Sequence, residues 1–394
     1  MCDRLRDDEV QHYIRTQDTT PVLQLALQQS PFPDIPMREL VQQVQGRQKA
    51  QKKLPTWYKH QGILYPPKLN LEQTSSQATA QYKAQHIQGT TIADLTGGFG
   101  IDAYFLSKQA SRLDYFEKQE LVYAFAKANF KTLDATTVNC QLGDGIEALK
   151  KTDTYYDAIY IDPARRHDIK GKVFRLEDCE PNVLEHLDVL VQNCSSLWIK
   201  TAPLLDLSLG IQHLKYVSEI HIVSVKNEVK ELLWRLEQKP DQTSIPQIIV
   251  TNINGDNTST HSFPWKAFQE VPIVYGNPQT YLYEPQAGLM KAGAFHWIAQ
   301  RFKLTKLHQH SHLYTSANLI GFPGRVFKIV QVYPYNTKQL KRIKIDQAHI
   351  TTRNFKLTVA QLRDRFKIKE GGDRYLFFTT NKASELVVLN CEKC

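Results

Sequence analysis

The chain has 394 residues, 42% hydrophobic and 10% aromatic, with a formal charge of +9 at pH 7. That length accommodates two or three domains and a sizeable core. The opening MCDRLRDDEV has no apolar signal-type core, and no stretch approaches the roughly 18 apolar residues of a membrane span, so a cytoplasmic protein with no membrane partner is expected.

In chain order, residues 1–85 read as helical. PVLQLALQQ from Pro21 and MRELVQQVQG from Met37 carry apolar residues at three-to-four spacing, punctuated by Pro31, Pro33, Pro36 and Pro55. Thr74-Ser-Ser-Gln77 has capping-box spacing and opens a further helix, SQATAQYKAQHI, that ends at Gly89. From there strands and helices alternate: TIADLT, GIDAYFLSKQ, RLDYFE, LVYAFAKANFKTL, TVNCQLGD, IEALKK, YDAIYID, a long connection, SLWIKTA, LLDLSLGIQHL and EIHIVSV. That alternation predicts an α/β domain over 86–275, a parallel sheet with helices on both faces, with ELLWRLE and PQIIVTNI as a closing pair of strands. A small α/β unit over 276–320 follows, with TYLYE as strand, QAGLMKAGAFHWIAQRF as helix and LTKLHQHSHLYTS as strand. The segment 321–394 reads RVFKIVQVYPY (strand), TKQLKRIKI (helix), HITTRNF (strand), VAQLRDRF (helix after Thr358), then FKIK and RYLFFTT as a hairpin around EGGD. The last residues, CEKC, are expected to fray.

The charge is lopsided. Residues 321–394 hold fifteen Lys and Arg against six Asp and Glu; counting back to Lys291 gives +13 over 104 residues and leaves −4 for the rest. A basic C-terminal part of this kind suits a polyanion. Tyr333, Tyr335, Phe355, Tyr375, Phe377 and Phe378 alternate with basic residues there, as stacking platforms on RNA do, although most are expected in the core. The six cysteines are scattered and form no disulfide framework. Cys391-Glu-Lys-Cys394 lacks a second ligand pair, and His308, His310 and His312 lack a carboxylate or cysteine partner, so no metal is expected.

The stretch ADLTGGFGID carries the chemistry. A glycine turn between a strand and a helix lets backbone approach a ligand and aims helix N–H groups at it. Here Asp94 and Thr96 close the strand and Gly97, Gly98 and Gly100 form the turn. A carboxylate at that strand end attracts an ammonium group and repels a pyrophosphate. Glu117, ending the next strand, suits two ribose hydroxyls, and Asp144, after the third, suits an adenine amino group. The set fits S-adenosylmethionine better than a dinucleotide.

At these residues the chain resembles the class I S-adenosylmethionine-dependent methyltransferases. DLTGGFG looks like their first motif, Glu117 like their ribose-binding acid, and DPARR at 162–166 stands where they carry a D/N-P-P-x motif. The whole chain is similar to a bacterial group that joins a helical N-terminal region (1–85) to such a domain (86–275), then a small ferredoxin-like domain (276–320) and a basic THUMP-like domain (321–394). SSQATAQYKA, RLEDCEP, EPQAGLMKAGAF and KIKEGGDRYLFFTT carry that closer likeness. The resemblance implies a Rossmann-like α/β sheet with small α+β C-terminal domains, S-adenosyl-L-methionine as cofactor, and RNA (tRNA or rRNA) as partner.

Methyl transfer from a sulfonium is an in-line displacement that demands positioning and desolvation. Carried over position by position, Asp162 and the Pro163 carbonyl would grip an acceptor amine, with Arg165 where an aromatic residue stacks on the base. Arg166 and Lys200 are candidate substrate contacts. Ala164 and Arg165 depart from the adenine clamp, which points to guanine N2 or another RNA amine; uracil C5 chemistry needs a cysteine just after the strand SLWIKTA, and none is there. Methylation of a protein or small molecule, and a nonenzymatic RNA-binding role with a degenerate methyltransferase domain, stand as alternatives.

Overall fold

The computed structural model describes residues 4–165, 175–238, 245–343 and 345–394. It divides into two compact units, Met1–His221 with Lys230–Pro246, and Ile222–Val229 with Gln247–Cys394. No described helix is long and apolar enough to cross a membrane.

The first unit opens with the helices Asp8–Thr16, Val22–Ala26, Met37–Lys53, Pro55–Lys59, Lys68–Gln73 and Gln77–His86. The capping box expected at Thr74–Gln77 is not formed. Thr74 instead closes the helix before it, its N–H bonded to the Asn70 carbonyl at 3.1 Å. Ser76 caps the next helix, its Oγ accepting from the Thr79 N–H at 3.3 Å. These helices share a core with the sheet of the same unit: Trp57 meets the Tyr104 ring edge-on at 4.8 Å, among Phe105, Phe130 and Trp198.

Then come β1 (Thr91–Asp94), α1 (Ile101–Ser107), β2 (Arg112–Glu117), α2 (Glu120–Thr132), β3 (Val138–Leu142), α3 (Gly145–Leu149), β4 (Tyr156–Ile161), α4 (Val183–Gln192), β5 (Cys194–Thr201), α5 (Leu207–His213), β6 (Val217–Val225) and β7 (Glu228–Leu236). The strands lie in the order β3-β2-β1-β4-β5-β7-β6. β1 to β5 pair in parallel, and β7 runs antiparallel to β5. ELLWRLE is therefore β7, inserted between β5 and β6, and not the partner of PQIIVTNI.

PQIIVTNI belongs to the second unit as β8 (Gln247–Asn254), paired antiparallel with β9 (Asn257–Pro264). The sequence reading missed β9 because NTSTHSFP is polar; it is an edge strand with most side chains in water, reached through a two-residue turn in which Gly255 sits at φ 59°. The expected single helix in QAGLMKAGAFHWIAQRF is two, Ala287–Lys291 and Phe295–Arg301, broken where Gly293 takes φ 63°.

The remaining strands, β10 (Tyr281–Pro285), β11 (Thr305–Lys306), β12 (Tyr314–Ser316), β13 (Gly324–Pro334), β14 (His349–Thr352), β15 (Arg374–Thr380) and β16 (Leu386–Lys393), make one sheet in the order β11-β12-β10-β13-β16-β15-β14. LTKLHQHSHLYTS is two short strands, with His308 to His312 in the turn between them. FKIK forms no hairpin with RYLFFTT: Lys369 makes an isolated parallel bridge to Gln347, and Gly371 and Gly372 turn the chain into β15. The supposed frayed end is β16, hydrogen-bonded on one side to β13 and on the other to β15, with Cys391 fully buried. Of the six alternating aromatics none is exposed. Phe377 packs on one face with Phe327 and Leu389, Phe378 on the other with Leu362 and Val388, so alternation here reflects a sheet covered on both sides. Glu284 of β10 is clamped by Arg325 and by Arg353, the latter at 2.7 Å.

Candidate cofactor cleft

The glycines after β1 are present for two distinct reasons. A Cβ on Gly97 would lie 2.0 Å from the Tyr115 ring, and one on Gly100, which is at φ 82° and precedes α1, would lie 2.5 Å from the Phe130 ring. Those two let the turn press onto β2 and α2. Gly98, at φ 53°, donates its N–H to Glu117 Oε2 at 2.9 Å and accepts from the Tyr115 hydroxyl at 2.5 Å.

Around this turn opens a cleft of about 770 Å³. Of the residues expected to form a site, Asp94, Thr96, Gly97, Gly98, Glu117, Asp144, Asp162 and Arg165 line it; Gly100, Pro163 and Lys200 do not, and Arg166 lies outside the described residues. The acids come from separate strand ends. Asp94 is 1% exposed and accepts the Thr96 N–H at 3.1 Å; burial, then the charge of Asp102, raises its pKa well above the usual carboxylate range. Glu117 accepts the Gly98 N–H with one oxygen and the Gln119 N–H at 2.7 Å with the other.

Asp144 is the N-cap of α3. Its Oδ1 accepts from the Ile146 and Glu147 amides at 2.8 and 3.1 Å, while Oδ2 lies 3.3 Å from Lys118 Nζ. Burial alone would raise its pKa, but those amides and the Lys118 ammonium outweigh it and hold the carboxyl low. Lys118 also meets Glu180 at 2.8 Å, and Cys179–Glu180 of RLEDCEP forms a short antiparallel ladder with Ala164–Arg165, so that segment folds onto the DPAR motif.

Thr96 Oγ accepts the Asp162 N–H at 2.7 Å, which couples the end of β1 to the end of β4. Asp162 Oδ2 is 2.7 Å from Lys200 Nζ. Burial would lower the Lys200 pKa, but the Asp162 charge reverses the effect and raises it.

The sequence reading missed a buried ionic cluster beneath the cleft. Lys83, from SSQATAQYKA, is wholly inaccessible, with Nζ 3.0 Å from Asp102 Oδ1, 3.1 Å from Glu231 Oε2 and 2.7 Å from Ser75 Oγ. Asp102 Oδ2 also accepts from Ser75 Oγ at 2.7 Å and from the Tyr160 hydroxyl at 3.0 Å. Burial opposes the ammonium of Lys83, yet the carboxylates of Asp102 and Glu231 raise its pKa; burial raises that of Glu231. Ser75, Lys83 and Asp102 all fall in the motifs SSQATAQYKA and DLTGGFGID, but Glu231 sits 148 positions from Lys83, beyond the reach of any local signal. Among the described residues no group of three or more His, Cys, Asp or Glu is arranged to hold a metal.

A parallel β3-β2-β1-β4-β5 sheet closed by an antiparallel β7, with a glycine turn after β1 and acids at the strand ends around one cleft, is the Rossmann-like fold of the class I methyltransferases. The chain is 33% identical to a candidate methyltransferase from Porphyromonas gingivalis W83 whose crystal structure matches it over 98% of both chains with a TM-score of 0.89. Residues 281–323 match the profile of a ferredoxin-like domain and 324–393 that of a THUMP-like domain. The chain belongs to this family, in which a methyltransferase-type sheet is followed by those two modules. No protein in the curated set matches the chain. More distant folds include a candidate methyltransferase of Streptococcus mutans in complex with SAH (16% identity, 41% of this chain and 96% of that one, TM-score 0.32). A second is an rRNA methylase of Streptococcus thermophilus (15% identity, 41% and 94%, TM-score 0.30).

Proposed function

We propose that the protein is a cytoplasmic S-adenosylmethionine-dependent methyltransferase that transfers a methyl group to a base amine of structured RNA. In this reading residues 86–275 carry out the transfer, 1–85 back them, and the modules at 276–320 and 321–394 dock the RNA. The observation that carries it is the convergence of Asp94, Glu117, Asp144 and Asp162 on one cleft over a glycine turn. The donor set fits the cofactor: a buried acid for an ammonium, and an acid at the end of β2 with unused lone pairs for two hydroxyls. When bound, the cofactor supplies an electrophilic methyl group on a sulfonium.

The chain's own residues would then do the rest. Asp94, whose pKa burial raises above the usual carboxylate range, is favoured in its ionised form by a cation bound beside it. Glu117 is oriented by two backbone N–H groups and keeps acceptor capacity towards the cleft. Asp162, fixed through Oδ2 by Lys200 and through its backbone by Thr96, offers its other oxygen to an acceptor N–H, which orients the amine lone pair. Lys200 thus acts through Asp162 and not on the substrate directly.

RNA is supported by the THUMP-like module at 324–393 together with the basic charge of the same segment. The test compares nucleosides of RNA from cells carrying wild type or Asp162→Ala by mass spectrometry, alongside calorimetric titration of both proteins with S-adenosylmethionine. Disappearance of one methylated nucleoside, with cofactor binding retained, is the expected result. Unchanged nucleosides would remove RNA as the substrate.

A further inference from the structure

The second unit holds a pocket of its own, about 770 Å³ and so as large as the cofactor cleft, inside the roughly 300–1,000 Å³ of small-molecule sites. Its charge is the reverse. Six acids line the cleft, whereas no Asp or Glu among the described residues lines this pocket, and its cation, Lys356, is exposed and pairs with no carboxylate among them. Charged neighbours in sequence are already paired: Arg353 reaches Glu284 at 2.7 Å, and Glu385 accepts from Asn381 Nδ2 at 2.9 Å.

Both modules matched above build the lining. His308, from the turn between β11 and β12, belongs to 281–323; Thr352 at the end of β14, Asn354, Phe355, Lys356 and Ser384 belong to 324–393. His308 Nδ1 accepts from the His310 backbone N–H at 3.2 Å and from Asn354 Nδ2 at 3.1 Å, which puts the ring proton on Nε2, 3.4 Å from Ser384 Oγ. Nε2 donates to that oxygen, and the Ser384 hydroxyl proton is left to point elsewhere. Asn354, at φ 50° with its carbonyl accepting from Thr380 Oγ1 at 2.7 Å, keeps its second amide proton. An ammonium, an amide N–H and two hydroxyls thus border one acid-free hollow, and the half-buried Phe355 gives it an apolar side with Leu386.

A terminal phosphate carries about −1.5 to −2 charges and three acceptor oxygens, and lysine meets it as a point charge. We infer that this pocket is an anion site for a nucleotide bearing a terminal phosphate, with the phosphate on Lys356, Asn354 and Ser384 and the base against Phe355. His308 is a positioning residue that ties the ferredoxin-like turn to the THUMP-like loops. The pocket shares no residue with the cofactor cleft, so its test is independent of the methyl-transfer reading. The phosphate belongs either to a free mononucleotide or to the end of a polynucleotide, and the probes separate the two.

The experiment titrates the full chain with uridine 5′-monophosphate, uridine, and a short oligouridylate with and without a 5′-phosphate. Wild type is compared with a Lys356→Gln, Ser384→Ala double variant and with Lys382→Gln, an exposed lysine outside the pocket; all three side chains are exposed, and a thermal melt verifies folding. At least one phosphorylated probe should bind about tenfold or more tighter than its unphosphorylated counterpart; the double variant should lose that preference and Lys382→Gln should keep it within about twofold. A preference shown by the monophosphate makes a free mononucleotide the ligand, and one confined to the oligomer makes it a polynucleotide end. Equal affinity for phosphorylated and unphosphorylated probes, a preference that survives the double variant, or an equal loss in Lys382→Gln overturns the site.

Discussion

Lys83 in the first unit and Lys306 in the second are both nearly inaccessible, at 0% and 2% exposure, yet their surroundings move them in opposite directions. Lys83 touches two carboxylates and its pKa rises against the cost of burial. Lys306 donates to the Gln309 carbonyl at 2.8 Å and lies over the Phe295 ring, and burial pushes it down to about 8. The difference teaches where charge is structural. Around the cleft, ions are taken inside and paired, while in the second unit most cations stay in water, free to meet an external anion.

Truncating both lysines would sharpen that contrast most. Lys83→Met leaves Asp102 and Glu231 facing each other without a counter-ion and should cost about 3–5 kcal/mol in urea unfolding. Lys306→Met removes a buried amine held by a carbonyl and a ring with no carboxylate beside it, and should be close to neutral at pH 7. A similar loss in both variants would break the distinction.

The next effect is on pH dependence of stability. Because the folded pKa of Lys306 lies below its unfolded value, the unfolded chain binds more protons between about pH 8 and the ordinary lysine range near 10.4. Stability should therefore rise with pH across that window, by about 1–3 kcal/mol for this group. Lys306→Met should flatten that part of the curve relative to wild type, as followed by thermal melts at successive pH values.

Smaller effects concern ligands. A cation in the cleft favours ionised Asp94, so binding releases a proton, and S-adenosylhomocysteine affinity should increase with pH through the raised titration of that acid. Asp94→Asn should bind about tenfold more weakly near neutrality and lose this dependence. Finally, Lys356→Glu with Lys382→Glu, both exposed in the second unit, should reduce the slope of log K against log salt for RNA binding by about 1–2. An unchanged slope would place the phosphate contacts elsewhere.

The alternation of strands and helices from Thr91 to Thr201 was legible because each element has its own apolar period. That Asp94, Glu117 and Asp162 would meet at one cleft was legible because strand ends come together at one edge of a parallel sheet. The Lys83 cluster was not, since nothing local in YKAQH or KELLW reports that a lysine and a glutamate so far apart share a buried space. β9 and β16 escaped for opposite reasons. NTSTHSFP is too polar to look like a strand until its edge position is known, and LVVLNCEK is an apolar alternation overshadowed by the cysteines at its end. Gly97 lines the cleft and also makes room for the Tyr115 ring, whereas Gly100 answers to the Phe130 ring and does not line it.

The place of β16 bears on how this unit is made. It is synthesised after every strand it joins, yet it fills the gap between β13 and β15. While the ribosome is still translating this region, those two strands lack the partner between them, and the half that holds Glu284 and the half that holds His349 share no hydrogen-bonded ladder. Assembly of this part is thus a late closing event, and a stalled or clipped nascent chain would leave two adhesive edges for other polypeptides to find.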